Sequence, residues 1–469
     1  MSDVVLDAMA AIVGAGNAHG SGSDAFAAGA ARFAMIAGAA PRYAALVQPG
    51  DSKELAAVVA EARSRKLGLL LSYNGSDVGA RLIGDHDSLI LDLSRMNRIL
   101  EVDPVNACAR VEPGVSFADL AAHLARAGHP LLVDSERDPA GSVVGSIFAK
   151  GIGHTPYADH ALMQCGGEFV LPDGSLVRTG MGAMPESPTW PLYKFALGPY
   201  ADGLAIQSGG AVIPTQVGIW LMGKPPAQRL FAFDIADEAD IAGVLEALRP
   251  LKINNLLAGT ITITHHAFDK ARASTAGGRG AWRLFGACYG LPRLVELGMA
   301  AVNGTLAGIR GVRAVDDAAL GRDPIWREQA ALMAGGVGES APRFKGGGGG
   351  DVAARITFVA AIEGAAATGM MAVAQAMTRA HELPLLAEFA LCGRSLFQTV
   401  HLPYKRGQAP GFARVAACAG QLIDQMGAAG FGLASESFEL SRLADEALGT
   451  GPLHALQDRV LAAVGGATA

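Results

Sequence analysis

The first quarter of the sequence alternates short apolar runs with amphipathic helical patterns, and this alternation restricts the fold more than any other feature. The run at 67–72 is apolar almost throughout, which is typical of a buried strand, and a second strand is predicted over 87–94. Asp51 precedes the first helical pattern and Ser116 the second, and both side chains can accept hydrogen bonds from the free N–H groups at a helix start. Strands and helices of this kind continue to about residue 225 and predict an α+β domain.

The pattern changes near residue 228. A strand and then a helix are predicted over 229–253, a strand over 258–266, and a strand, helix and strand over 354–391. Residues 300–350 are expected to be rich in loops, and the glycine run at 345–351 is typical of a flexible segment. This second block predicts a separate α/β domain built around a largely antiparallel sheet.

Composition and charge exclude several classes of protein. Apolar residues make up 50% of the 469 residues and charged residues 17%, as in a well-buried globular protein. A net charge of −6 argues against a surface for nucleic acid or an anionic membrane. No run reaches the roughly 18 apolar residues that a membrane span needs, and the acidic amino-terminus is unlike a secretory signal. We therefore predict a cytoplasmic protein that binds neither nucleic acid nor membrane.

Metal sites and disulfides are not predicted. The five cysteines lie far apart and form no CxxC pair, which suits a reducing compartment. The decamer GIGHTPYADH, residues 151–160, contains His154, Asp159 and His160 and could form a metal site, a catalytic dyad or a wall beside a larger ligand. Two histidines separated by five residues fit metal coordination poorly on either a helix or a strand. A structural or ligand-lining role is favoured, with direct chemistry by His154 or His160 as the alternative.

Three stretches of the sequence together resemble a known family. They are residues 91–120, 141–185 and 198–222, which contain the motifs VEPGVSFADL, GSVVGS, GIGHTPYADH and QVGIW. In order and spacing these motifs are similar to the FAD-binding domain of the vanillyl-alcohol oxidase and p-cresol methylhydroxylase (PCMH) flavoproteins. The resemblance implies an α+β fold with a two-part PCMH-type FAD-binding domain over 1–227, a cap domain over 228–435 and a shortened carboxy-terminal return over 436–469.

The residues that would hold FAD follow from the same resemblance. A pyrophosphate needs convergent backbone N–H donors and a backbone without Cβ atoms in the way. Two glycine-containing loops, 74–79 and 141–146, can supply these, and the decamer would form a wall beside the flavin ring. The predicted cofactor-binding residues are Ser72, Asn74, Gly75, Ser76, Asp77, Val78, Gly79, Pro113, Gly114, Ser142, Val143, Gly145, Ser146, Gly151, Gly153, His154, Tyr157, Val217, Gly218 and Ile219.

Several positions depart from the family pattern. A substrate tyrosine expected after the first loop falls on Ala80, and a Tyr-Arg pair falls on Ala434 and Ser435, which cannot hold a phenolate. The covalent flavin anchor would fall near Arg355, where no histidine or tyrosine is within reach, so FAD is expected to bind non-covalently. Asp77 would place a carboxylate against a pyrophosphate, which is unfavourable unless the side chain turns away or a cation intervenes.

The predicted function is hydride transfer from a small-molecule substrate, not a typical para-alkylphenol, to FAD. The candidate catalytic residues are Glu436, Arg394, His401, Gln398, Arg137 and Asp138. The family's carboxylate position falls on Arg137, between two acids, so which acid faces the pocket stays open. There are two alternatives. The first is a non-redox relative, which could be a pseudoenzyme, a partner subunit of a paralogue or a protein with a repurposed pocket. The second is that the resemblance reflects the fold alone. A homo-oligomer is expected, with cytochrome c or a paralogous subunit as a candidate partner.

Overall fold

The amino-terminal half of the molecule is built on two five-stranded sheets. The computed structural model describes residues 2–38, 41–74, 81–83, 87–184, 186–195, 200–205, 212–273, 280–316, 320–337, 351–448 and 451–463. The helices of this half are α1 (Ser2–Val13), α2 (Asp24–Arg32), α3 (Ser52–Ser64), α4 (Phe117–Ala127), α5 (Val143–Phe148) and α6 (His160–Met163). The strands are β1 (Ala18–His19), β2 (Tyr43–Val47), β3 (Gly68–Ser72), β4 (Arg81–Ile83), β5 (Ser88–Asp92), β6 (Ile99–Asp103), β7 (Cys108–Val111), β8 (Leu131–Leu132), β9 (Gln164–Val170), β10 (Leu176–Arg178), β11 (Ile213–Trp220) and β12 (Met222–Gly223).

The first sheet has the strand order β1-β2-β5-β3-β4, with β2, β5 and β3 parallel. The second is antiparallel, in the order β10-β9-β11-β7-β6. Apolar residues from both sheets and from α3 and α4 form one continuous core, which includes Leu55, Leu71, Val111 and Leu120. The predicted α+β domain is confirmed.

The helix starts follow the capping residues seen in the sequence. The Asp51 side chain accepts hydrogen bonds from the backbone N–H groups of Lys53 and Glu54, at 2.8 and 2.9 Å. Glu54 reaches back to the N–H of Gly50 at 2.7 Å. Ser116 begins α4 with a complete capping box. These caps turn the chain from β2 into α3 and, after β7, into α4.

The cap is an eight-stranded antiparallel sheet with helices on both sides. Its helices are α7 (Ala239–Ile253), α8 (His266–Arg272), α9 (Pro292–Leu306), α10 (Pro324–Met333), α11 (Gly364–Ala380) and α12 (Ala409–Ala428). Its strands are β13 (Ala227–Ile235), β14 (Ile261–His265), β15 (Trp282–Gly290), β16 (Val312–Ala314), β17 (Asp351–Ala361), β18 (Ala387–Cys392), β19 (Ser395–Lys405) and β20 (Gly432–Glu436). The strand order is β16-β13-β15-β14-β18-β19-β17-β20. The predicted antiparallel cap is confirmed.

One face of the cap sheet carries the larger apolar core. Residues from α7, α9, α11 and α12 pack there against alternate residues of the strands, among them Ile356, Phe389 and Ile263. The opposite face is partly covered by α8 and α10 and meets the amino-terminal half. The range 300–350, predicted to be rich in loops, also contains α10. Asp323 caps this helix at the N–H of Ile325, 3.0 Å away, and Ile325, Leu332 and Met333 are buried.

The carboxy-terminal segment returns to the first sheet and ends with α13 (Ser441–Leu448) and α14 (Pro452–Ala463). Phe438 packs edge-on against Phe33, with ring centroids 5.2 Å apart. It also joins a small core with Leu70 and Ile90. Within the described residues, no helix is long and apolar enough to cross a bilayer.

Candidate active site

The face of the cap sheet that meets the amino-terminal half carries a row of polar residues. Register pairing places one such residue on each strand, from β20 to β16: Ser435, Thr357, Thr399, Glu388, Thr264, Arg283, Asp234 and Arg313. Neighbouring residues of a strand point to opposite faces, and the neighbours of these residues lie in the cap core. The sheet therefore presents a polar band to the amino-terminal half of the molecule.

Arg137, from the amino-terminal half, binds the centre of this band. Its Nη1 and Nη2 atoms donate to the two carboxylate oxygens of Glu388, at 2.7 and 2.5 Å. His401 Nε2 lies 3.0 Å from the same carboxylate. The planar guanidinium matches a carboxylate in this two-bond geometry, which fixes orientation as well as distance. Arg137, Glu388 and His401 thus form one array that links the two halves of the chain.

Electrostatics fixes the charges within the array. Burial alone would raise the pKa of Glu388, but Arg137 and the hydrogen bond from His401 hold that pKa well below its usual range. Burial lowers the pKa of His401 to about 4, despite its contact with Glu388. At neutral pH the array therefore contains a carboxylate, a guanidinium and a neutral imidazole.

The ring of Phe268, in α8, packs against the array. Its ring stacks on His401 with centroids 4.3 Å apart. The guanidinium carbon of Arg137 lies 5.6 Å from the ring centroid and that of Arg272 lies 5.1 Å from it. Arg272 Nη2 in turn donates to both carboxylate oxygens of Glu328, at 2.5 and 2.6 Å. Two buried ion pairs therefore share one aromatic ring.

Asp134 holds the decamer 151–160 against the loop that carries Arg137. Its carboxylate accepts hydrogen bonds from the backbone N–H groups of His154 and Thr155, at 2.9 and 2.7 Å, and from the Thr155 hydroxyl. His160 Nε2 lies 3.4 Å away. Burial opposes ionisation of Asp134, but His160 and Thr155 lower its pKa below the ordinary value. An ionised Asp134 therefore fixes the backbone at His154.

A second carboxylate engages the other end of the same network. The Ser146 hydroxyl donates to Glu136, and Ser146 Oγ lies 2.7 Å from His160 Nδ1. Burial would lower the pKa of His160, but Asp134 and Glu136 together raise it above the ordinary value. His160 is thus buried and held between a carboxylate and a serine hydroxyl, which favour its protonated form. Ser146 is already engaged, so its hydroxyl is not a spare donor for a phosphate.

Gly151 and Gly153 are required by these carboxylates. A Cβ atom at Gly153 would overlap Asp134 Oδ1 and lie 2.8 Å from His160 Nε2. A Cβ atom at Gly151 would overlap Glu136 Oε1 and Ser146 Oγ. The two glycines therefore admit protein carboxylates close to the backbone.

His154 carries the decamer to the junction with the cap. Its carbonyl accepts a hydrogen bond from the N–H of Thr260 at 3.1 Å, and its side chain is 6% exposed. Burial lowers the pKa of His154 to about 4, and the nearby Arg137 contributes to this shift. Across the described ranges, no group lies within hydrogen-bonding distance of His154 Nδ1.

Most of the loops predicted to hold a cofactor meet in space. Asn74 Nδ2 donates to the carbonyl of Ala140 at 2.5 Å, and Ser142 Oγ donates to the carbonyl of Pro113 at 2.6 Å. The N–H of Gly151 donates to the carbonyl of Ser146 at 2.8 Å. Three predicted segments therefore converge at the edge of the two sheets.

The remaining predicted cofactor residues lie beside these loops or outside the described residues. Val217, Gly218 and Ile219 pair with β7, the strand that leads to Pro113 and Gly114. Tyr157, Val143 and Ile219 line a largely apolar pocket with Asp134 and His160 at its polar end. Ser72 ends β3, and Gly145 lies in α5. Gly75, Ser76, Asp77, Val78, Gly79 and Ala80 lie outside the described residues.

This arrangement fits a bound ligand such as a dinucleotide at the junction. The converging loops frame the site, and the buried Nδ1 of His154 has no internal partner in the described part of the chain. Asn74, Pro113, Gly114 and Ser142 would hold such a group from the side of the two sheets.

Two of the six candidate catalytic residues, Arg137 and His401, are brought together through Glu388. Gln398 lies on the opposite face of β19, where its Nε2 is 2.9 Å from Met371 Sδ. Arg394 is exposed in the turn between β18 and β19. The other two lie apart from the array: Asp138 is exposed and caps the N–H of Ala140, and Glu436 pairs with Ile356 at the end of β20.

Sequence reasoning missed five residues of the site: Asp134, Glu388, Phe268, Arg272 and Glu328. Glu388 had a visible signal, because it is the single charged residue in the apolar strand LLAEFAL. Arg272 and Glu328 lie on different helices, and only the tertiary fold brings them together.

The fold and the site together define a class of protein: a PCMH-type FAD-binding domain covered by an antiparallel cap, with a buried polar array between them. Residues 43–180 match the FAD binding domain family. The flavoprotein subunit of 4-cresol dehydrogenase (hydroxylating) from Pseudomonas putida is 30% identical over 368 residues, which are 73% of this chain and 70% of that protein. The chain therefore belongs to the vanillyl-alcohol oxidase/PCMH flavoprotein family, and it is an FAD-linked oxidoreductase of that family.

Other relatives agree with this assignment. The 1'-carboxy-chondrochloren decarboxylase of Chondromyces crocatus is 33% identical over 251 residues, 53% of this chain and 46% of that protein. The structure of p-cresol methylhydroxylase with bound substrate matches with a TM-score of 0.87 and 26% identity, over 98% of this chain and 94% of that one. A 4-ethylphenol oxidase from Gulosibacter chungangensis has the same fold, with a TM-score of 0.89 at 24% identity and the same coverage.

Proposed function

We propose that the protein oxidises a small, non-phenolic organic substrate at carbon, using FAD that is bound without a covalent link. The observation that carries the proposal is the Arg137–Glu388–His401 array, which joins the flavin-type domain to the cap and lies over the aromatic ring of Phe268. Buried charged and neutral polar groups of this kind cluster at functional sites.

When bound, FAD supplies a two-electron acceptor for hydride. The chain supplies orientation and charge. Arg137 and Glu388 hold the two halves of the site in register, and His401 offers a neutral imidazole beside Phe268. The decamer, fixed by Asp134, forms the wall opposite the cap.

The residues described at the expected Tyr-Arg position support a non-phenolic substrate. Ser435 and Thr357 are paired across β20 and β17, and Thr357 Oγ1 lies 2.9 Å from Thr399 Oγ1. Hydroxyl groups of this size can hydrogen-bond a neutral oxygen, but they do not provide the positive charge that holds a phenolate.

Non-covalent attachment is supported by Arg355. It lies on β17 and its side chain is exposed, and His401, directly opposite on β19, is engaged with Glu388. A guanidinium cannot form the covalent flavin bond expected of a histidine or tyrosine at this place. We also propose that the electron acceptor is oxygen or cytochrome c and that the protein forms a homo-oligomer. The relative from Pseudomonas is a subunit by name, so we include a partner subunit among these proposals.

The proposal is tested by titrating the flavin-free protein with FAD while following flavin fluorescence and the melting temperature. At an FAD concentration of about 100 times Kd, binding would stabilise the fold by about 2.7 kcal/mol. The Asp77→Asn variant should bind more tightly if Asp77 faces the pyrophosphate, because a like charge is removed. Neither a fluorescence change nor a shift in melting temperature in either protein would favour the alternative, a non-redox relative.

A further inference from the structure

The outer face of α9, in the cap, is apolar where solvent contact would be expected. Leu294 and Leu297 are 54% and 59% exposed, and Leu291, just before the helix, is 59% exposed. The opposite side of α9 packs into the cap core through Val295 and Val302. A helix that is apolar on both sides is typical of one that is covered on both sides.

Exposed large apolar side chains are concentrated at this place in the described part of the cap. Apart from the three leucines, only Ile253, at the end of α7, is exposed there. The chain after Ile253 runs to the leucine end of α9, where the carbonyl of Leu256 lies 4.0 Å from the position of a Cβ atom on Gly298. The helix α12 instead presents Arg414 and Asp424 to solvent, as surface helices usually do.

The size of the side chains changes along the outer face of α9. Leu294 and Leu297 lie in its first half, and Ala301 and Gly304 follow on the same face at helical spacing. A Cβ atom at Gly304 would meet nothing within 4 Å, so no contact within the described chain requires a glycine there. Glycine weakens a helix interior, so this position indicates a close approach from outside the chain.

A second copy of the same helix fits this change in size. When two α9 helices lie antiparallel across a two-fold axis, the leucine half of each faces the small-residue half of the other. With the axis beside Ala300, Leu297 of one copy lies over Gly304 of the other. A parallel pair would instead place leucine against leucine and leave gaps between the small residues.

Charged residues at the two ends of the helix favour the same orientation. No charged residue occurs between Glu296 and Arg310, and both of these side chains are exposed. In an antiparallel pair, Glu296 of each copy lies at the end where Arg310 of the other copy emerges, with Arg293 one turn away. A parallel pair would bring the two Glu296 carboxylates together, which is unfavourable.

The area of this face is that of the centre of an interface. The 15 residues of α9 span about 22 Å with a width of about 10 Å, so the outer face covers roughly 220 Å². A standard interface buries about 800 Å² on each partner and has an apolar centre with a polar rim. The pair of helices would form that centre, and the end of α7 and the turn that carries Arg310 would form the rim.

We propose that two copies of this chain associate through the outer faces of α9, with the helices antiparallel and the leucines of each against the small residues of the other. The inference rests on the proposed homo-oligomer and names its interface. It does not depend on the binding of FAD.

The first experiment measures the association of the full chain by sedimentation velocity over a range of protein concentrations at pH 7.5. The wild type should associate, and the associated fraction should rise with concentration. Gly304→Leu should weaken the association at least about tenfold, because the new side chain occupies the space that Leu297 of the second copy fills. The variant should still fold, since Gly304 meets open space and leucine is the better helix former.

Gly420→Leu is the matched control, because Gly420 of α12 also has nothing within 4 Å of its Cβ position. It should leave the association unchanged. If the face of α9 were a non-specific apolar patch, the additional leucine at Gly304 would strengthen the association, and that result would overturn the proposed packing. A wild type that stays monomeric, or a Gly304→Leu variant that associates as the wild type does, would overturn it as well.

The second experiment tests the orientation of the helices by oxidative cross-linking. Ala300→Cys lies beside the two-fold axis and should form a disulfide-linked dimer, which requires Cα atoms within about 7 Å of each other. Leu294→Cys lies about 10 Å along the helix from the axis, so its two copies are about 20 Å apart and should not cross-link. Cross-linking of Leu294→Cys rather than Ala300→Cys would contradict the antiparallel pair.

Flavin absorbance, followed in the same sedimentation runs, reports the binding of FAD separately. A protein that binds FAD but stays monomeric would overturn this inference and leave the proposed oxidation in place. A dimer that meets both variant tests but takes up no FAD would confirm the interface and contradict the proposed function.

Discussion

Replacing Glu388 with glutamine tests whether the buried array holds the two halves of the molecule together. In the wild type, Glu388 receives two hydrogen bonds from Arg137, at 2.7 and 2.5 Å, and lies 3.0 Å from His401. Glutamine has nearly the same shape but no charge. The substitution therefore leaves the Arg137 guanidinium without its counter-charge and with poorer hydrogen-bond geometry.

The expected cost follows from the burial of the pair. The Glu388 side chain is 10% exposed and that of Arg137 is 24% exposed. Breaking a fully buried pair by removing one partner typically costs about 3–5 kcal/mol. Because Arg137 retains some contact with solvent, we expect the lower end, about 3 kcal/mol.

The assay is equilibrium unfolding in urea at pH 7.5. Asp87→Asn is the matched control, because it breaks the surface pair with Arg42, whose side chains are 79% and 35% exposed. Surface pairs of this kind contribute about 0–1 kcal/mol. If Glu388→Gln is no more destabilising than Asp87→Asn, the array is not a structural link and the reasoning is wrong.

Two further predictions concern the decamer and pH. Gly153→Ala should destabilise the protein by about 2 kcal/mol or more, because the new Cβ would overlap Asp134 Oδ1. Gly420→Ala is the control, because its Cβ meets open space in α12, and it should be neutral or stabilising. Equal melting temperatures for the two variants would refute this prediction. Burial lowers the pKa values of His154 and His401 to about 4 in the folded protein, against about 6.5 in the unfolded chain. Unfolding therefore takes up protons below pH 6.5. The free energy of unfolding should fall as the pH drops from 6.5 to 4, by up to about 3 kcal/mol for each histidine. The urea midpoint of unfolding, measured at pH 7, 6 and 5, tests this. A midpoint that does not change with pH would contradict the prediction. So would a His154→Gln variant whose midpoint falls with pH as much as that of the wild type.

The sequence predicted the architecture well because fold signals are local. Asp51 and Ser116 fix helix starts through bonds to residues two or three positions away, and the strand patterns show which side chains are buried. The ordered motifs then assigned the PCMH-type fold, which the structure and the relatives confirm.

The site was harder to predict because its partners are distant along the chain. Arg137 and Glu388 are 251 residues apart, so nothing in either local segment predicts their contact. The glycines of the decamer show a different difficulty. Gly151 and Gly153 were expected to admit a cofactor, and the structure places the carboxylates of Glu136 and Asp134 where their Cβ atoms would lie. A glycine pattern indicates a close approach without saying what approaches.

Strand alternation separates two candidates that the sequence could not. Gln398 and His401 are three positions apart on β19, so they face opposite sides of the cap sheet. Gln398 contacts Met371 in the cap core, and His401 contacts Glu388 in the site. Their spacing implied opposite faces, but only the cap's position shows which face meets the flavin-type domain.

The central claim is that the protein uses FAD held without a covalent bond, and its visible spectrum tests this most directly. The protein is purified after expression with ample riboflavin, its absorbance is recorded between 300 and 600 nm, and the protein is then precipitated with acid. We predict an oxidised flavin spectrum before precipitation and all of the flavin in the supernatant afterwards. Flavin colour retained in the pellet would contradict the non-covalent assignment, and a colourless protein that takes up no added FAD would contradict the function itself.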